Sequence, residues 1–122
     1  MNEPETKPWP TGIRVRRQER RLEIDFDDGS SFKLPAELLR VESPSAEVQG
    51  HGEGKTIVAG KSDVAIADVE MVGNYAIRIR FDDGHDTGLY AWDYLHKLGR
   101  DQDTIWSRYL EALQARNLSR ES

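Results

Sequence analysis

The sequence predicts an α+β domain, a largely antiparallel sheet built from two strand–turn–strand–helix repeats and covered by a C-terminal helix. Three observations predict it. Short runs alternate apolar and charged residues, the period of half-buried strands. The same order of strand, turn, strand and helix signals occurs twice, around Asp27-Asp28-Gly29 and around Asp82-Asp83-Gly84. A broad apolar stripe then recurs at helical spacing near the C-terminus. With 122 residues the chain supplies one modest core. That core is assigned to a single domain over residues 13–117, between a flexible N-terminal tail, 1–12, and a short C-terminal tail, 118–122.

The tail assignment rests on three of the five prolines falling in residues 1–12, with Trp9 as a residue able to pin the segment to the body. Residues 13–21 carry Arg14, Arg16, Arg17, Arg20 and Arg21 around Ile13 and Val15, which fits an edge strand whose charges discourage association. The same arginines are the one candidate patch for nucleic acid. Leu22, Ile24 and Phe26 then alternate with Glu23 and Asp25 into the Asp27-Asp28-Gly29 turn, with Phe32 and Leu34 on the return. Pro35 opens a short helix to residue 40, at a position where its missing N–H costs least.

Residues 40–60 are turn-rich, with Ser43-Pro44-Ser45 and Gly50-His51-Gly52-Glu53-Gly54. Ile57 and Val58 are candidates for a short strand, and residues 61–67 for a connector. Val69, Met71 and Val72 form the next strand before Gly73-Asn74. Ala76, Ile77, Ile79 and Phe81 broken by Arg78 and Arg80 are another, turned by Asp82-Asp83-Gly84. Leu89 and Tyr90 return, and residues 91–98 are helical with Gly99 as the stop signal. The last helix starts from Asp101 or Asp103 and runs to about residue 117, with Ile105, Trp106, Tyr109, Leu110 and Leu113 on one face.

Two of these segments match residue by residue. Leu22, Ile24, Phe26, Asp27, Asp28, Gly29, Leu34 and Ala36 correspond to Ile77, Ile79, Phe81, Asp82, Asp83, Gly84, Leu89 and Ala91 at one fixed offset. The agreement of apolar positions as well as turn residues favours a true internal repeat over a shared hairpin turn.

Composition narrows the chemistry. Cysteine is absent, which excludes disulfides, a thiolate nucleophile and sulfur ligands for zinc or iron–sulfur clusters. The formal net charge of −5 weighs against a nucleic-acid surface. No apolar run approaches the roughly 20 residues needed to cross a bilayer, and the first ten residues lack a signal-peptide core, so a cytoplasmic location is expected. HGEG lacks the Lys-Ser/Thr ending of a phosphate loop. His51, His85 and His96 lie on separate elements, and no Ser, Thr or Cys motif supplies a nucleophile with a His partner. Asp82, Asp83, His85 and Asp86 are the one cluster of hard donors with an imidazole, with His85, Asp83 and Asp86 the candidate ligands, set against the polar chemistry that any hairpin tip requires.

Residues 39–52 (LRVESPSAEVQGHG), Val69-Glu70 with Val72-Gly73-Asn74-Tyr75-Ala76, and Phe81-Asp82-Asp83-Gly84-His85 with Trp92-Asp93-Tyr94-Leu95 resemble the small bacterial DUF971 proteins. These share a domain with the N-terminal region of gamma-butyrobetaine hydroxylase. The resemblance covers roughly residues 14–99 and implies a compact, sheet-rich α+β domain. It also implies an ancestral zinc held by a Cys-Pro-Cys-x-x-Cys run and a later His. Here those positions read Ser43, Ser45, Val48 and His85. Hydroxyls and valine do not replace thiolates on zinc, so the resemblance implies a kept fold and a lost metal. Val48 is expected to pack inward, Ser43 or Ser45 to bond local backbone, and His85 to sit at the turn or surface with one hydrogen bond to residues 43–48.

No cofactor is expected, with zinc or iron the candidate ions should the site hold one. The oxygenase chemistry of the hydroxylase belongs to a separate catalytic domain. The expected function is a non-catalytic binding or adaptor domain with an unknown protein partner, and similar domains fused to Mrp-type carriers point to iron–sulfur or metal-cofactor assembly. The alternatives are a metal-binding protein using His85 and nearby carboxylates, or an accessory domain of a 2-oxoglutarate oxygenase system. His51, Tyr75, Tyr90 and Trp92 form the candidate interaction surface. A homodimer is expected if Tyr75, Tyr90 and Trp92 form one exposed patch.

Overall fold

The computed structural model describes residues 7–49 and 55–121. Two three-stranded antiparallel sheets, each a meander, carry four helices. The first sheet has β1 (Pro10–Arg16), β2 (Arg21–Phe26) and β3 (Ser31–Pro35), and the second has β4 (Ile66–Val72), β5 (Ala76–Phe81) and β6 (Leu89–Ala91). Helix α1 (Ala36–Val41) leaves β3 directly and α3 (Trp92–Arg100) leaves β6 directly. A single turn, α2 (Ala46–Gln49), follows α1, and α4 (Gln102–Ala115) follows α3.

The internal repeat is wider than the sequence match. Strand β1 pairs with β2 as β4 pairs with β5, and each outer strand is irregular at the same place, between Pro10 and Gly12 and between Ile66 and Asp68. Strands β1 and β4 share almost no residue identities, which is why the sequence concealed this part. The return strands also correct the fixed offset. Leu22 pairs with Leu34, but its counterpart Ile77 pairs with Tyr90, not Leu89. One extra residue between Gly84 and Leu89 shifts the second return strand, and a one-residue shift reverses which side chain faces inward. Leu34 and Tyr90 are therefore fully buried while Leu89 is exposed.

The two turns are built alike. The amide of Asp27 donates to the Trp9 carbonyl while its carboxylate accepts the Trp9 amide at 3.0 Å; Asp82 makes the same exchange with Ala65, also at 3.0 Å. The second aspartate accepts the amide two residues on, Asp28 from Ser30 at 2.9 Å and Asp83 from His85 at 3.0 Å. Gly29 and Gly84 take φ of +87° and +92°, where a side chain is strained. The Asp-Asp-Gly repeat thus encodes three separate roles.

The helices are exchanged between the units. His96 on α3 meets Asp28 of the first turn at 2.9 Å, and Arg40 on α1 meets Asp83 of the second at 2.7 Å. Arg40 and His96 occupy the same position in their helices, the fifth residue of each. Helix α3 also runs on through Gly99 rather than ending there. A Cβ at Gly99 would sit inside the Phe32 ring, so this glycine serves close approach of α3 to β3.

One core takes both sheets and both exchanged helices: Leu22, Ile24, Phe26 and Leu34 meet Ile77, Ile79, Phe81 and Tyr90, closed by residues such as Leu39 and Leu95. Ile105 and Trp106 of α4 pack against it. Of the rest of the predicted α4 stripe, Tyr109 and Leu113 form a smaller core with Val41, Ile57 and Val58, whereas Leu110 turns away from that face and is exposed. Ile57 and Val58 lie in this packed segment without strand pairing.

Both expected tails are partly anchored. Strand β1 already begins at Pro10, because Trp9 is tied to the first turn and its ring stands edge-on to Trp92 with centroids 6.3 Å apart. At the other end, Gly60 and Ser62 donate their amides to the carbonyls of Ser119 and Arg120, and Arg120 forms a two-bond pair with buried Glu37 at 2.7 and 2.8 Å. The β1 edge is also less cationic than its arginines predict. Arg14, Arg16 and Arg21 converge on Glu23, which is buried, and Arg14 also holds Asp25.

Candidate functional site

The sequence-predicted residues Ser43, Ser45, Val48, Asp83 and His85 meet where α1 and α2 cover the second turn. The chain leaves α1 at Glu42 and turns through Ser43-Pro44-Ser45. Ser45 Oγ accepts the Glu47 amide at 3.0 Å, and its carbonyl accepts the amides of Val48 and Gln49, so α2 forms as one capped turn. This puts the Val48 side chain in the interior and Ser43 against the second hairpin, both buried.

Ser43 has no accessible surface, and its Oγ lies 2.9 Å from His85 Nε2. On the other side of the ring, Nδ1 lies 3.4 Å from Glu47 Oε2. A charged Glu47 favours the tautomer with the proton on Nδ1, and Nε2 then accepts the Ser43 hydroxyl proton. Ser43 Oγ accepts the Ser45 amide in turn, at 3.3 Å, and the Ser43 carbonyl accepts Gln49 Nε2 at 2.8 Å. His85 is thus buried rather than at the surface. The extra residue in the second hairpin and the roof formed by α2 enclose it.

Behind the imidazole, Asp83 Oδ2 is shared by Arg40 Nε and Lys61 Nζ, each at 2.7 Å. Burial works to raise the Asp83 carboxyl, but hydrogen bonds from Lys61, the His85 amide and Arg40 outweigh it and hold it at about 2. The His85 imidazole is pushed below its ordinary range, first by burial and then by the Arg40 charge, with Glu47 and Asp83 opposing. The Arg40 Nη1 atom is buried without a partner among the described residues. Beside it the Tyr90 hydroxyl donates to the Leu39 carbonyl at 2.5 Å, and the Tyr94 hydroxyl donates to the Glu42 carbonyl.

Serine, imidazole and carboxylate in this order resemble a nucleophile relay; the family resemblance implied a bond from His85 to residues 43–48, but not the approach of the Glu47 carboxylate, 38 residues from His85 in the chain. Access decides what the arrangement can do. A Cβ at Gly88 would lie 2.5 Å from Ser43 Oγ, so the hairpin backbone closes over the hydroxyl and leaves no space for an acyl group. As folded, Ser43 and His85 form a buried hydrogen-bonded link between the α1–α2 connection and the second turn, with the exposed Glu47 carboxylate beside the ring at the solvent edge.

The donor set does not fit zinc either. Ser43, Ser45 and Val48 offer hydroxyls and a hydrocarbon where thiolates are required, and the one imidazole has both nitrogens engaged. Among the described residues no three His, Asp or Glu side chains are grouped to hold a metal ion. Asp83 is turned toward its two cations. Asp86 borders a shallow surface depression with Asp68, Glu70, Arg78 and Arg80 on the outer face of β4 and β5, so it does not join His85.

The candidate interaction surface is rearranged. Tyr75 is 56% exposed, but Tyr90 is fully buried by the register shift. Trp92 is buried at the start of α3, where its Nε1 donates to the Asn74 carbonyl at 2.9 Å. His51 lies outside the described residues. Tyr75, Tyr90 and Trp92 thus do not form the shared exposed patch on which the homodimer expectation depended. The exposed large apolar residues nearby are Trp9 and Met71, which border a groove of about 340 Å3 where the start of β1 meets the end of β4. Tyr75 lies beside it, packed over Gly73. Among the described residues no helix is long and apolar enough to cross a membrane.

The family model for gamma-butyrobetaine hydroxylase-like, N-terminal matches residues 13–96. Two proteins solved by NMR are similar over nearly the whole chain. One is 42% identical with a TM-score of 0.83, covering 95% of this chain and 92% of its own. The other is 48% identical with a TM-score of 0.82, covering 98% and 90%. A crystal structure of a DUF971 family protein of unknown function from Acidithiobacillus ferrooxidans ATCC 23270 is 40% identical with a TM-score of 0.63, covering 74% of this chain and 91% of its own. No curated protein matches. The match over most of the domain, together with identities of 40% and above, places the fold and sequence together: the chain belongs to the gamma-butyrobetaine hydroxylase-like N-terminal (DUF971) family.

Proposed function

We propose that this domain is a non-catalytic binding or adaptor module that acts through a protein partner. The observation that carries this reading is the contrast between a polar cluster committed to internal contacts and an apolar groove left at the surface. Ser43 and His85 are buried against each other and Asp83 is held by two cations, with Glu47 at the solvent edge of the cluster, whereas Trp9 and Met71 stay exposed around one groove and Tyr75 beside it. Aromatic and methionine side chains left at a surface groove are the usual anchors of a protein interface. The finer reading, assistance to iron–sulfur or metal-cofactor assembly, rests on the resemblance to domains fused to Mrp-type carriers. It assigns the carrier as the partner and leaves the metal on that partner.

Photocrosslinking from position 75 in a native lysate, followed by reconstitution with the purified crosslinked protein, tests the proposal. Binding that is saturable and lost in Met71→Asp and Tyr75→Asp supports it. Turnover of a small molecule by the pure domain, or partner binding unaffected by both substitutions, overturns it. A metal that co-purifies stoichiometrically and is lost in His85→Ala would favour the metal-binding alternative.

A further inference from the structure

A second recess, which shares no lining residue with the Trp9 groove, lies between α3, α4 and residues 55–57. Its volume is about 340 Å3, at the lower end of the range for small-molecule cavities. Ile57, Leu98, Ile105 and Ala112 line it together with Tyr94 and Tyr109. Both phenol hydroxyls are already spent on backbone carbonyls, Tyr94 on Glu42 and Tyr109 on Val58 at 2.6 Å, so the two rings contribute apolar wall.

Charge at this recess is one-sided. Lys55, Lys97 and Arg108 line it with a single carboxylate, Glu42, and Lys55 already neutralises that carboxylate. Among the described residues neither Lys97 nor Arg108 has an ion-pair partner within 4 Å. Asp101 lies in the field of both, but its two oxygens are taken by Arg100 at 3.2 Å each. Two uncommitted cations beside an apolar recess complement a molecule with an anionic head and an apolar body.

We propose that this recess binds a small amphipathic organic acid, its anionic head between Lys97 and Arg108 and its ring or short acyl chain against Ile57, Ile105 and the two tyrosines. The site is independent of the partner groove, so either reading stands without the other.

The test is an NMR titration of the full chain with octanoate, using octanol and octylammonium as neutral and cationic controls. Saturable octanoate shifts at the amides of Tyr94, Lys97, Ile105 and Arg108 are expected. Affinity should fall roughly tenfold for either control and for Lys97→Glu or Arg108→Glu, exposed-side substitutions that leave the core intact. Ala112→Trp, which fills the recess, should abolish the shifts while leaving the signals of Trp9 and Met71 in place. Equal affinity for octanol and octanoate, no saturation at millimolar ligand, or shifts centred on β1 and β4 would each overturn the proposal. Sedimentation with phosphatidylglycerol vesicles in the absence of octanoate binding would also overturn it, since the cations would then serve a lipid surface.

Discussion

The two halves of this domain run the same turn to different ends. In each, the first aspartate ties the start of the outer strand, the second accepts the amide two residues on, and glycine takes the left-handed turn. Each second aspartate then receives a cationic or imidazole side chain from the other half's helix. At the first turn the partner from the other half is His96, Asp28 keeps 43% of its side chain exposed, and Ser30, in the position of His85, donates its hydroxyl to the same carboxylate. At the second turn the Asp83 side chain is 18% exposed and holds two cations, and His85 is enclosed by α2. The candidate site therefore lies where the pseudo-symmetry is broken, by one extra hairpin residue and one added helical turn. A turn that serves only to reverse the chain needs neither.

Breaking the second turn should cost most. Asp83→Ala leaves Arg40 and Lys61 without their shared carboxylate in a largely buried setting, and a loss of about 3 kcal/mol is expected in denaturant unfolding. A loss no greater than that of Asp28→Ala would show that the two turns are equivalent in energy despite their different burial. The Asp28 substitution should lower the melting temperature by less, since solvent replaces much of what His96 supplies.

His85 sharpens the comparison through pH. Its folded pKa is depressed, so between the folded value and the unfolded value of about 6.5 the unfolded chain binds more protons. Stability is then fully present above about pH 6.5 and declines as pH falls through the folded value, with a slope of at most about 1.4 kcal/mol per pH unit for one proton. The groups that face the ring, Arg40, Glu47, Asp83 and Ser43, remain in His85→Asn, and that variant should flatten the decline. Asp83, held at about 2 against an ordinary 3.8, adds a separate loss only at lower pH, as pH falls from about 4 toward 2. If the native and His85→Asn proteins show parallel stability profiles from pH 7 to 5, burial of the imidazole is not what the protein senses.

The smallest effect expected is none. Because hydroxyls and a valine stand at the thiolate positions, a chelator should leave the melting temperature unchanged, as should added zinc. A chelator-sensitive transition that His85→Ala removes would place a metal at the second turn and give the asymmetry between the halves a different cause.

Local chemistry determined much of this molecule before any folding. The alternation in Leu22, Ile24 and Phe26 and in Ile77, Ile79 and Phe81 specifies strands with one buried face, and the paired Asp-Asp-Gly runs specify turns, because period and positive φ are properties of neighbouring residues. The family pattern and the substituted serines were equally legible. Partners distant in the chain were not. That Arg40 and His96 cross to the opposite halves, that Glu47 reaches His85, and that Gly99 makes room for Phe32 rather than ending a helix all depend on how the two sheets meet. Tyr90 marks the division most clearly. Its β propensity is plain from its type, but one inserted residue in the adjoining hairpin loop decides whether it faces solvent or the core, since strand side chains alternate with a period of two and only the pairing with β5 fixes the register.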